Sequence, residues 1–169
     1  ADYTPLCTTE HGRTALLKED FAKRNVKVLA ISVDGLDSHK GWKADINETQ
    51  NCNVDFPIIA DPNKEIANLY GMIHPNASES FTVRSLFIIG PDKKLKLSLT
   101  YPASTGRNFH EVIRVIDSLQ MSAKHSIATP ADWKQGDDVI VSNAITTEDA
   151  KKKFAKGVTE IKPYLRYTP

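Results

Sequence analysis

Residues 26–33 (VKVLAISV) form an apolar run rich in β-branched side chains, and Asp34-Gly35 ends it. A run of this length and composition predicts a buried β-strand. Apolar residues at helical spacing precede the run over residues 8–25 and follow it over residues 36–46. Because a strand between two such helices has to form part of a sheet that the helices cover, this alternation predicts a layered α/β domain.

The same alternation continues to about residue 119 and supports a single layered domain. Each apolar stretch is bounded by glycine, proline or asparagine, which favour turns. The predicted elements are a strand at residues 56–60, a short helix at 64–70 that Gly71 ends, strands at 83–89 and 95–101 that pair as a hairpin, and a helix at 108–119.

Residues 121–169 have a different texture, with many turn residues. A short strand is predicted at residues 139–141, and a short helix at 147–154 with Thr147 as its N-cap. This segment looks too small for a hydrophobic core of its own. We therefore expect a main domain at residues 1–120 and a C-terminal extension at 121–169, which packs as an arm on the main domain or on a second subunit.

Composition excludes several classes of protein. The chain has 169 residues, of which 25% are charged, and a net charge of +1. A dedicated nucleic-acid-binding protein usually carries a basic stripe, so this balance argues against a nucleic-acid partner. No apolar stretch approaches the roughly 20 residues that span a bilayer. Two cysteines do not make a disulfide framework, and we therefore expect a reducing compartment and a cytoplasmic location.

Cys7 lies at the predicted opening of the first helix, three residues after Thr4. A helix start carries unpaired backbone N–H groups and the positive end of the macrodipole, and both favour a thiolate over a thiol. The alternative is a buried and unreactive cysteine, which is a common role for this residue. The polar neighbours of Cys7 leave both interpretations open.

Motifs along the whole chain match one family pattern. Thr4 and Cys7 lie in the segment TPLCTTE, and further matches occur at Arg84 and at residues 21–27, 56–59, 90–98, 101–103, 105–109, 128–134 and 164–169. On these motifs the chain resembles the one-cysteine peroxiredoxins of the peroxiredoxin VI subfamily. The resemblance implies an α/β, thioredoxin-like fold of the peroxiredoxin type with a small C-terminal extension. It also implies that a proline, a histidine and early strands belong upstream of Ala1, so that the main domain is N-terminally truncated.

The resemblance implies a thiol-dependent peroxidase that reduces hydrogen peroxide, alkyl hydroperoxides and phospholipid hydroperoxides. It implies no prosthetic cofactor, because an external thiol such as glutathione regenerates the cysteine, with a glutathione transferase as a partner. A homodimer and contact with a phospholipid surface are implied as well. The five histidines show no metal-ligand spacing, so no metal is expected.

The resemblance also implies a set of site residues. Cys7 is the peroxidatic nucleophile, Thr4 hydrogen-bonds the peroxide, and Arg84 holds the thiolate and polarises the O–O bond. Arg107 and Glu10 match two further positions, with Glu10 orienting the arginines. Each of these two has a structural alternative: Arg107 as a helix-entry residue, and Glu10 as a capping-box residue in the first helical turn.

Three other residues have open roles. Cys52 either resolves the oxidised Cys7 or, since the family uses an external thiol, has no part in the cycle. His11 either tunes the thiolate or faces solvent from the first helix, and the second role is the expected one. Trp42 is expected in the core or in a pocket wall rather than in the chemistry.

Two other functions stay as alternatives. The subfamily is associated with calcium-independent phospholipase A2 activity, and Asp92 matches one residue of that site. The serine and histidine of that site belong to the stretch upstream of Ala1, and Asp92 by itself is typical of a turn. The non-enzymatic alternative is a truncated module that only binds or dimerises.

Overall fold

The computed structural model describes residues 1–76 and 81–169, and these form two compact units, Ala1–Phe109 and His110–Pro169. The predicted boundary after residue 120 falls inside the helix at which the second unit begins. The elements in chain order are α1 (Pro5–Leu16), α2 (Lys18–Lys23), β1 (Ala30–Ser32), α3 (Leu36–Gln50), β2 (Ile58–Ala60), α4 (Glu65–Leu69), β3 (Arg84–Ile89), β4 (Leu95–Tyr101), α5 (Phe109–Lys124), β5 (Ile127–Ala128), β6 (Val139–Val141), α6 (Thr147–Lys153), β7 (Thr159–Lys162) and β8 (Leu165–Thr168).

Helix α1 begins three residues earlier than the sequence predicts. Thr4 is the N-cap with an extended backbone, and Pro5 is the first helical residue. Proline suits this position because its fixed φ is helical and its missing N–H would have no partner there. The long helix predicted over residues 8–25 is interrupted at Leu17, after which α2 begins. Cys7 is therefore the third residue of α1.

Strands β1 and β2 form a parallel pair, as the helix–strand alternation predicts. Ala30 lies opposite Ile58, and Ser32 lies opposite Ala60. The predicted strand over residues 26–33 is too long, because only residues 30–32 hydrogen-bond to a neighbouring strand in the described part of the chain. Helix α3 connects the two strands, which gives the strand–helix–strand unit of a layered α/β fold.

The core of the first unit lies between α1 and α3. Ala15, Trp42, Ile46 and Val54 form a buried cluster, and Trp42 is only 1% exposed. The Trp42 indole also donates a hydrogen bond from Nε1 to the Thr8 hydroxyl at 2.9 Å. Trp42 therefore has the core role expected from the sequence, and it fixes the first turns of α1 against α3.

Strands β3 and β4 form the predicted antiparallel hairpin. Arg84 at the start of β3 lies opposite Tyr101 at the end of β4. Asp92 lies in the connecting turn, where its carboxylate accepts hydrogen bonds from the Lys94 N–H at 3.2 Å and from Lys96 Nζ at 2.7 Å. The hairpin therefore carries Arg84 at its open end, away from this turn.

The second unit contains a buried apolar cluster of its own, so the expectation that residues 121–169 are too small for a hydrophobic core was wrong. Strands β5 to β8 form an antiparallel sheet in the order β5-β6-β8-β7. Ile127, Trp133 and Val139 are buried together, with Met121 and Phe154 packed against them. The sequence pattern showed only one of the four strands, because strands of two to four residues are too short for a periodic signal.

Helix α6 is capped by Thr146, and the prediction of Thr147 was wrong by one residue. The Thr146 backbone is extended, and its hydroxyl accepts a hydrogen bond from the Asp149 N–H at 3.1 Å. Two adjacent threonines give the sequence no means of choosing between them. Among the described residues no helix is long and apolar enough to cross a bilayer.

We expect Trp133→Ala to lower the free energy of unfolding by about 3–5 kcal/mol, because it empties the centre of the second core. Trp133 is 1% exposed, and its Nε1 donates to the Asp137 carbonyl at 3.0 Å. Urea unfolding followed by circular dichroism measures the change. Trp133→Phe keeps most of the apolar volume and should lose less. A loss below about 0.5 kcal/mol for Trp133→Ala, typical of a surface change, would contradict the assigned core.

Candidate active site

Cys7 is a free, partly buried thiol in the first turn of α1. Burial by itself raises the pKa of a thiol. Here the Thr4 hydroxyl and the Arg84 guanidinium oppose burial, and the pKa of Cys7 lies below its ordinary value. The arrangement therefore favours the thiolate, as the position at a helix start predicts.

Arg84 connects the thiol to an acidic neighbour. Its Nη1 donates to Cys7 Sγ at 3.5 Å and to Glu10 Oε2 at 2.9 Å. Its Nε donates to the Ala103 carbonyl at 2.8 Å, in the segment after β4. A planar guanidinium can satisfy these acceptors from one side chain, which a lysine ammonium on its flexible stem does less well.

Glu10 is the anchor of the second arginine. Arg107 donates to it from Nε at 3.0 Å, from Nη2 at 2.8 Å and from its backbone N–H at 2.8 Å. Arg107 Nη1 also donates to the Ser85 carbonyl at 2.6 Å. The Glu10 side chain is 4% exposed, so water competes little for the hydrogen bonds between its carboxylate and the Arg107 guanidinium.

The charges around Cys7 do not cancel among themselves. Burial raises the pKa of Glu10, but the hydrogen bonds and charge of Arg107, with the charge of Arg84, lower it overall, so the carboxyl is ionised. Two guanidinium groups then face one carboxylate. One positive charge is left in excess, and Cys7 Sγ is an acceptor within reach of it. The cluster can therefore stabilise a thiolate and, later, an oxygen anion that leaves from it.

The structure brings all five candidate residues together in the first unit. Thr4, Cys7 and Glu10 come from one end of α1, where spacings of three residues place side chains on one face. Arg84 comes from β3, and Arg107 precedes α5. The capping-box interpretation of Glu10 was wrong, because the helix starts at Pro5 and Glu10 lies in its second turn, bonded to the arginines. Arg107 likewise bonds Glu10 in addition to preceding a helix.

His11 does not face solvent, which corrects the sequence-based expectation. Its Nδ1 lies 2.8 Å from the Cys7 carbonyl, and its ring packs 4.7 Å from Trp42 and 5.9 Å from Phe56 between centroids. Burial is the largest cause of its lowered pKa. His11 therefore contributes a neutral imidazole that donates to the backbone of Cys7, and it adds no positive charge to those of the two arginines.

Cys52 packs against the same core cluster as Cys7 but in a different environment. Burial raises the pKa of its thiol, and no arginine is among the causes of its shift. Its Sγ lies 3.8 Å from the Ile46 carbonyl, and both cysteines are free. The pKa values of the two thiols are thus shifted in opposite directions, and only Cys7 is favoured as a thiolate. Within residues 1–76 and 81–169, no group of three acidic, histidine or cysteine side chains could hold a metal ion.

Backbone acceptors are the part of the site that sequence reasoning missed. The Ala103 and Ser85 carbonyls fix the two arginines, and any residue type could supply them. A buried pair formed by Asp2 and His39 beside the site was missed as well. Asp2 immediately precedes the TPLCTTE motif, and this proximity was its only signal.

We expect Glu10→Gln to lower the free energy of unfolding at neutral pH by about 3 kcal/mol, since it leaves two buried guanidinium groups without their anion. The folded pKa of Glu10 is below its ordinary value of about 4.5, so its contribution to stability is present above that pH and is lost as the pH falls through the folded pKa. The difference between wild type and Glu10→Gln should therefore shrink in acid.

Urea unfolding across a pH series measures this difference, with Glu48→Gln on the exposed side of α3 as the matched control. The control should change stability little at any pH. A difference between wild type and Glu10→Gln that stays constant into acid would contradict the assigned ion pair.

The chain is similar to known proteins over nearly its whole length. The model of the AhpC/TSA family matches residues 1–98, and the model of the C-terminal domain of 1-Cys peroxiredoxin matches residues 118–157. The 1-Cys peroxiredoxin of Dictyostelium discoideum is 57% identical over 168 residues, which are 99% of this chain and 70% of that protein. Human peroxiredoxin-6 is 52% identical over 182 aligned positions, with 99% of this chain and 81% of that protein covered.

A solved structure gives the same result for the fold. The yeast mitochondrial 1-Cys peroxiredoxin superimposes with a TM-score of 0.93 at 46% sequence identity, over 99% of this chain and 82% of that one. The fold is thus thioredoxin-like and of the peroxiredoxin type. Taken with the thiol held by Arg84, these matches lead to one conclusion: the chain belongs to the AhpC/TSA family, in its 1-Cys peroxiredoxin group, and is a thiol peroxidase.

Proposed function

We propose that Cys7 is the peroxidatic nucleophile, and that it reduces hydrogen peroxide, alkyl hydroperoxides and phospholipid hydroperoxides. The observation that carries this proposal is the position of Arg84 Nη1, which donates to both Cys7 Sγ and Glu10 Oε2. A cation shared in this way is fixed in place before substrate arrives, so it needs little reorganisation during the reaction.

The chemical step is an attack by the Cys7 thiolate on one oxygen of the peroxide. The S–O bond forms as the O–O bond breaks, and the leaving oxygen takes a proton and departs as water or an alcohol. Sulfur is oxidised to a sulfenic acid, and the peroxide is reduced by two electrons. Arg84 stabilises the negative charge as it moves from sulfur to the leaving oxygen.

Thr4 has a hydrogen-bonding geometry suited to the peroxide. Its single hydroxyl hydrogen has two acceptors within reach, the Ala1 carbonyl at 2.7 Å and Cys7 Sγ, so the lone pairs of Oγ1 are the groups it can offer to a substrate O–H. The backbone N–H groups at the start of α1 add donors to the same region. Thr4 is therefore assigned to orient the peroxide and Arg84 to stabilise charge, with Glu10 and Arg107 as positioning residues.

An external thiol, with glutathione as the first candidate, completes the proposed cycle. One thiol displaces water from the sulfenic acid to form a mixed disulfide, and a second thiol releases Cys7 and leaves as the oxidised disulfide. Two facts support this route. The thiol resolving mechanism of the yeast mitochondrial relative proceeds via glutathione/thioredoxin systems. In this chain the pKa of the Cys52 thiol is raised, which disfavours its attack on the sulfenic acid of Cys7. A glutathione transferase would serve as the partner that delivers the thiol. The compartment that we propose for this cycle is a reducing cytoplasm.

A homodimer and contact with a phospholipid surface belong to the same proposal. Large apolar side chains that lie exposed on the first unit support it, among them Leu29 at 66% and Leu69 at 81% exposure. Apolar surface of this kind is usually covered by a partner or a ligand. Sedimentation at increasing concentration tests the dimer, and co-sedimentation with phosphatidylcholine vesicles tests the lipid surface.

We expect one equivalent of hydrogen peroxide to produce a sulfenic acid on Cys7 that a dimedone probe traps once per chain. Mass spectrometry of the labelled peptide locates the adduct. Cys7→Ser should abolish labelling, whereas Cys52→Ser should leave both labelling and turnover with glutathione unchanged.

Two results would contradict this assignment. Absence of labelling in a wild-type chain with a folded circular-dichroism spectrum rejects Cys7 as the nucleophile. Loss of turnover in Cys52→Ser, with a Cys7–Cys52 disulfide in wild type, rejects regeneration by an external thiol alone.

We expect Arg84→Lys to lower the second-order rate constant for oxidation of Cys7 by about 10²- to 10³-fold, as for the loss of one preorganised donor. A lysine keeps the charge but loses the fork that bonds Cys7, Glu10 and the Ala103 carbonyl together. Stopped-flow kinetics with hydrogen peroxide measures the constant. Arg24→Lys, which alters the pair of Arg24 with Asp20, is the control, and an equal loss in both variants would exclude a specific role for Arg84.

A further inference from the structure

A buried pair of Asp2 and His39 lies beside the site and has no part in the chemistry described above. His39 Nδ1 is 2.6 Å from Asp2 Oδ2, and the two side chains are 4% and 1% exposed. Asp2 Oδ2 is the acceptor in this hydrogen bond, with Nδ1 as the donor. Asp2 immediately precedes the Tyr3-Thr4 segment that leads into α1.

Two further hydrogen bonds fix Asp2 to α3 and to the segment that precedes it, and a third supports one of the acceptors. The Ser38 hydroxyl donates to Asp2 Oδ2 at 2.8 Å, and the Asp2 N–H donates to Asp34 Oδ2 at 2.8 Å. The Ser32 hydroxyl donates to the same Asp34 oxygen at 2.8 Å. Both the backbone and the side chain of Asp2 are thus held by residues of a neighbouring segment. We call Asp2, Ser38 and His39 the Asp2 latch.

The backbone just after the latch is in an unfavourable conformation. Tyr3 has φ +52°, a left-handed value that is unfavourable for a residue other than glycine. Its hydroxyl lies against Gly41 of α3, where a Cβ atom would overlap it. A strained residue persists only where its surroundings determine its conformation, and the residues on its two sides are the latch and the α1 N-cap.

The latch reaches the proposed site through two backbone groups. Thr4 Oγ1 donates to the Ala1 carbonyl, which belongs to the peptide unit joined to Asp2. The Thr4 carbonyl in turn accepts from the Thr8 N–H at 3.0 Å and from the Thr8 hydroxyl at 2.8 Å. Both the hydroxyl of Thr4 and the first turn of α1 thus depend on where residues 1–3 are held.

We propose that the Asp2 latch is a positioning device, which holds the Tyr3-Thr4 segment so that the Thr4 hydroxyl and the Cys7 thiolate keep the geometry needed to react with a peroxide. The proposal rests on the proposed function of Cys7. Asp2, Ser38 and His39 act through Thr4 and do not touch the reacting atoms.

The energetics of the pair favour positioning over stability. Replacing a buried ionic or polar pair by apolar residues often leaves stability unchanged or raises it. Stability alone therefore does not account for the presence of such a pair. Asp2 Oδ1 and His39 Nε2 are also buried without a hydrogen-bond partner among the described residues. The pair fixes a strained segment next to a thiolate, and the geometry that it imposes on this segment is the better explanation for it.

The test compares two substitutions of one residue. His39→Leu removes the donor and keeps the apolar bulk, whereas the amide of His39→Asn places a donor near the position of Nδ1. We expect His39→Leu to lower the second-order rate constant of Cys7 with hydrogen peroxide by about 10- to 100-fold, as for a small misplacement of reacting groups. His39→Asn should restore most of the rate. His125→Leu, at an exposed histidine after α5, is the control and should react as wild type.

A second readout separates positioning from loss of fold. The pH midpoint for alkylation of Cys7 by iodoacetamide, followed by mass spectrometry of its peptide, should rise in His39→Leu and stay near wild type in His39→Asn. A merely structural role would lower the melting temperature without moving this midpoint in the folded fraction. Ser38→Ala removes one bond to Asp2 and should give the same two changes with smaller size, which keeps the test valid where His39→Leu folds poorly.

The outcomes are distinct. A folded His39→Leu with wild-type rate constant and wild-type midpoint, or a Ser38→Ala and His39→Leu series in which only stability changes, overturns the latch. A wild-type chain that peroxide does not oxidise overturns the proposed function instead, and the alkylation midpoints of the variants still decide on the latch.

Discussion

The carboxylate of Glu10 is the contact on which the arrangement of the site depends. It accepts hydrogen bonds from Arg107, which is 97 residues away in sequence, and from Arg84, which is 74 residues away. Helix α1, strand β3 and the segment before α5 meet at this one side chain. Without it the two guanidinium groups would repel each other in a partly buried space, and Arg84 would lose the ion pair that helps to hold it beside the thiol. The distance of 3.5 Å between Arg84 Nη1 and Cys7 Sγ depends on that anchoring.

The same contact explains why two cysteines in one unit behave differently. Both pack against the core cluster of Ala15, Trp42, Ile46 and Val54, and burial works to raise the pKa of each thiol. Only Cys7 lies at a helix start with a cation beside it. The direction of each pKa shift is therefore decided by charge and hydrogen bonding, not by the degree of burial. The neutral His11 ring supports the backbone of Cys7 without adding a positive charge beside the thiol.

The sequence could predict the layered fold and the residues of the site, but not everything that holds them. The strand–helix–strand unit, the β3–β4 hairpin and the place of Cys7 in a helical turn follow from apolar spacing, from turn residues and from the motif. Arg84, Arg107 and Glu10 were found through the family pattern, because no local signal brings together residues this far apart. The short strands of the second unit, the burial of His11 and the Asp2–His39 pair were missed, since each depends on contacts that only the folded chain creates.

The separation of Glu10 from its partners also bears on the order of events during folding. Contacts that close loops of this length lose chain entropy before they gain any stabilisation, so they form late relative to helices and hairpins. Until they form, Cys7 has no arginine beside it and has the reactivity of an unperturbed thiol. We therefore expect Cys7 to become more sensitive to peroxide as the native tertiary structure forms, and to react more slowly in an incompletely folded chain.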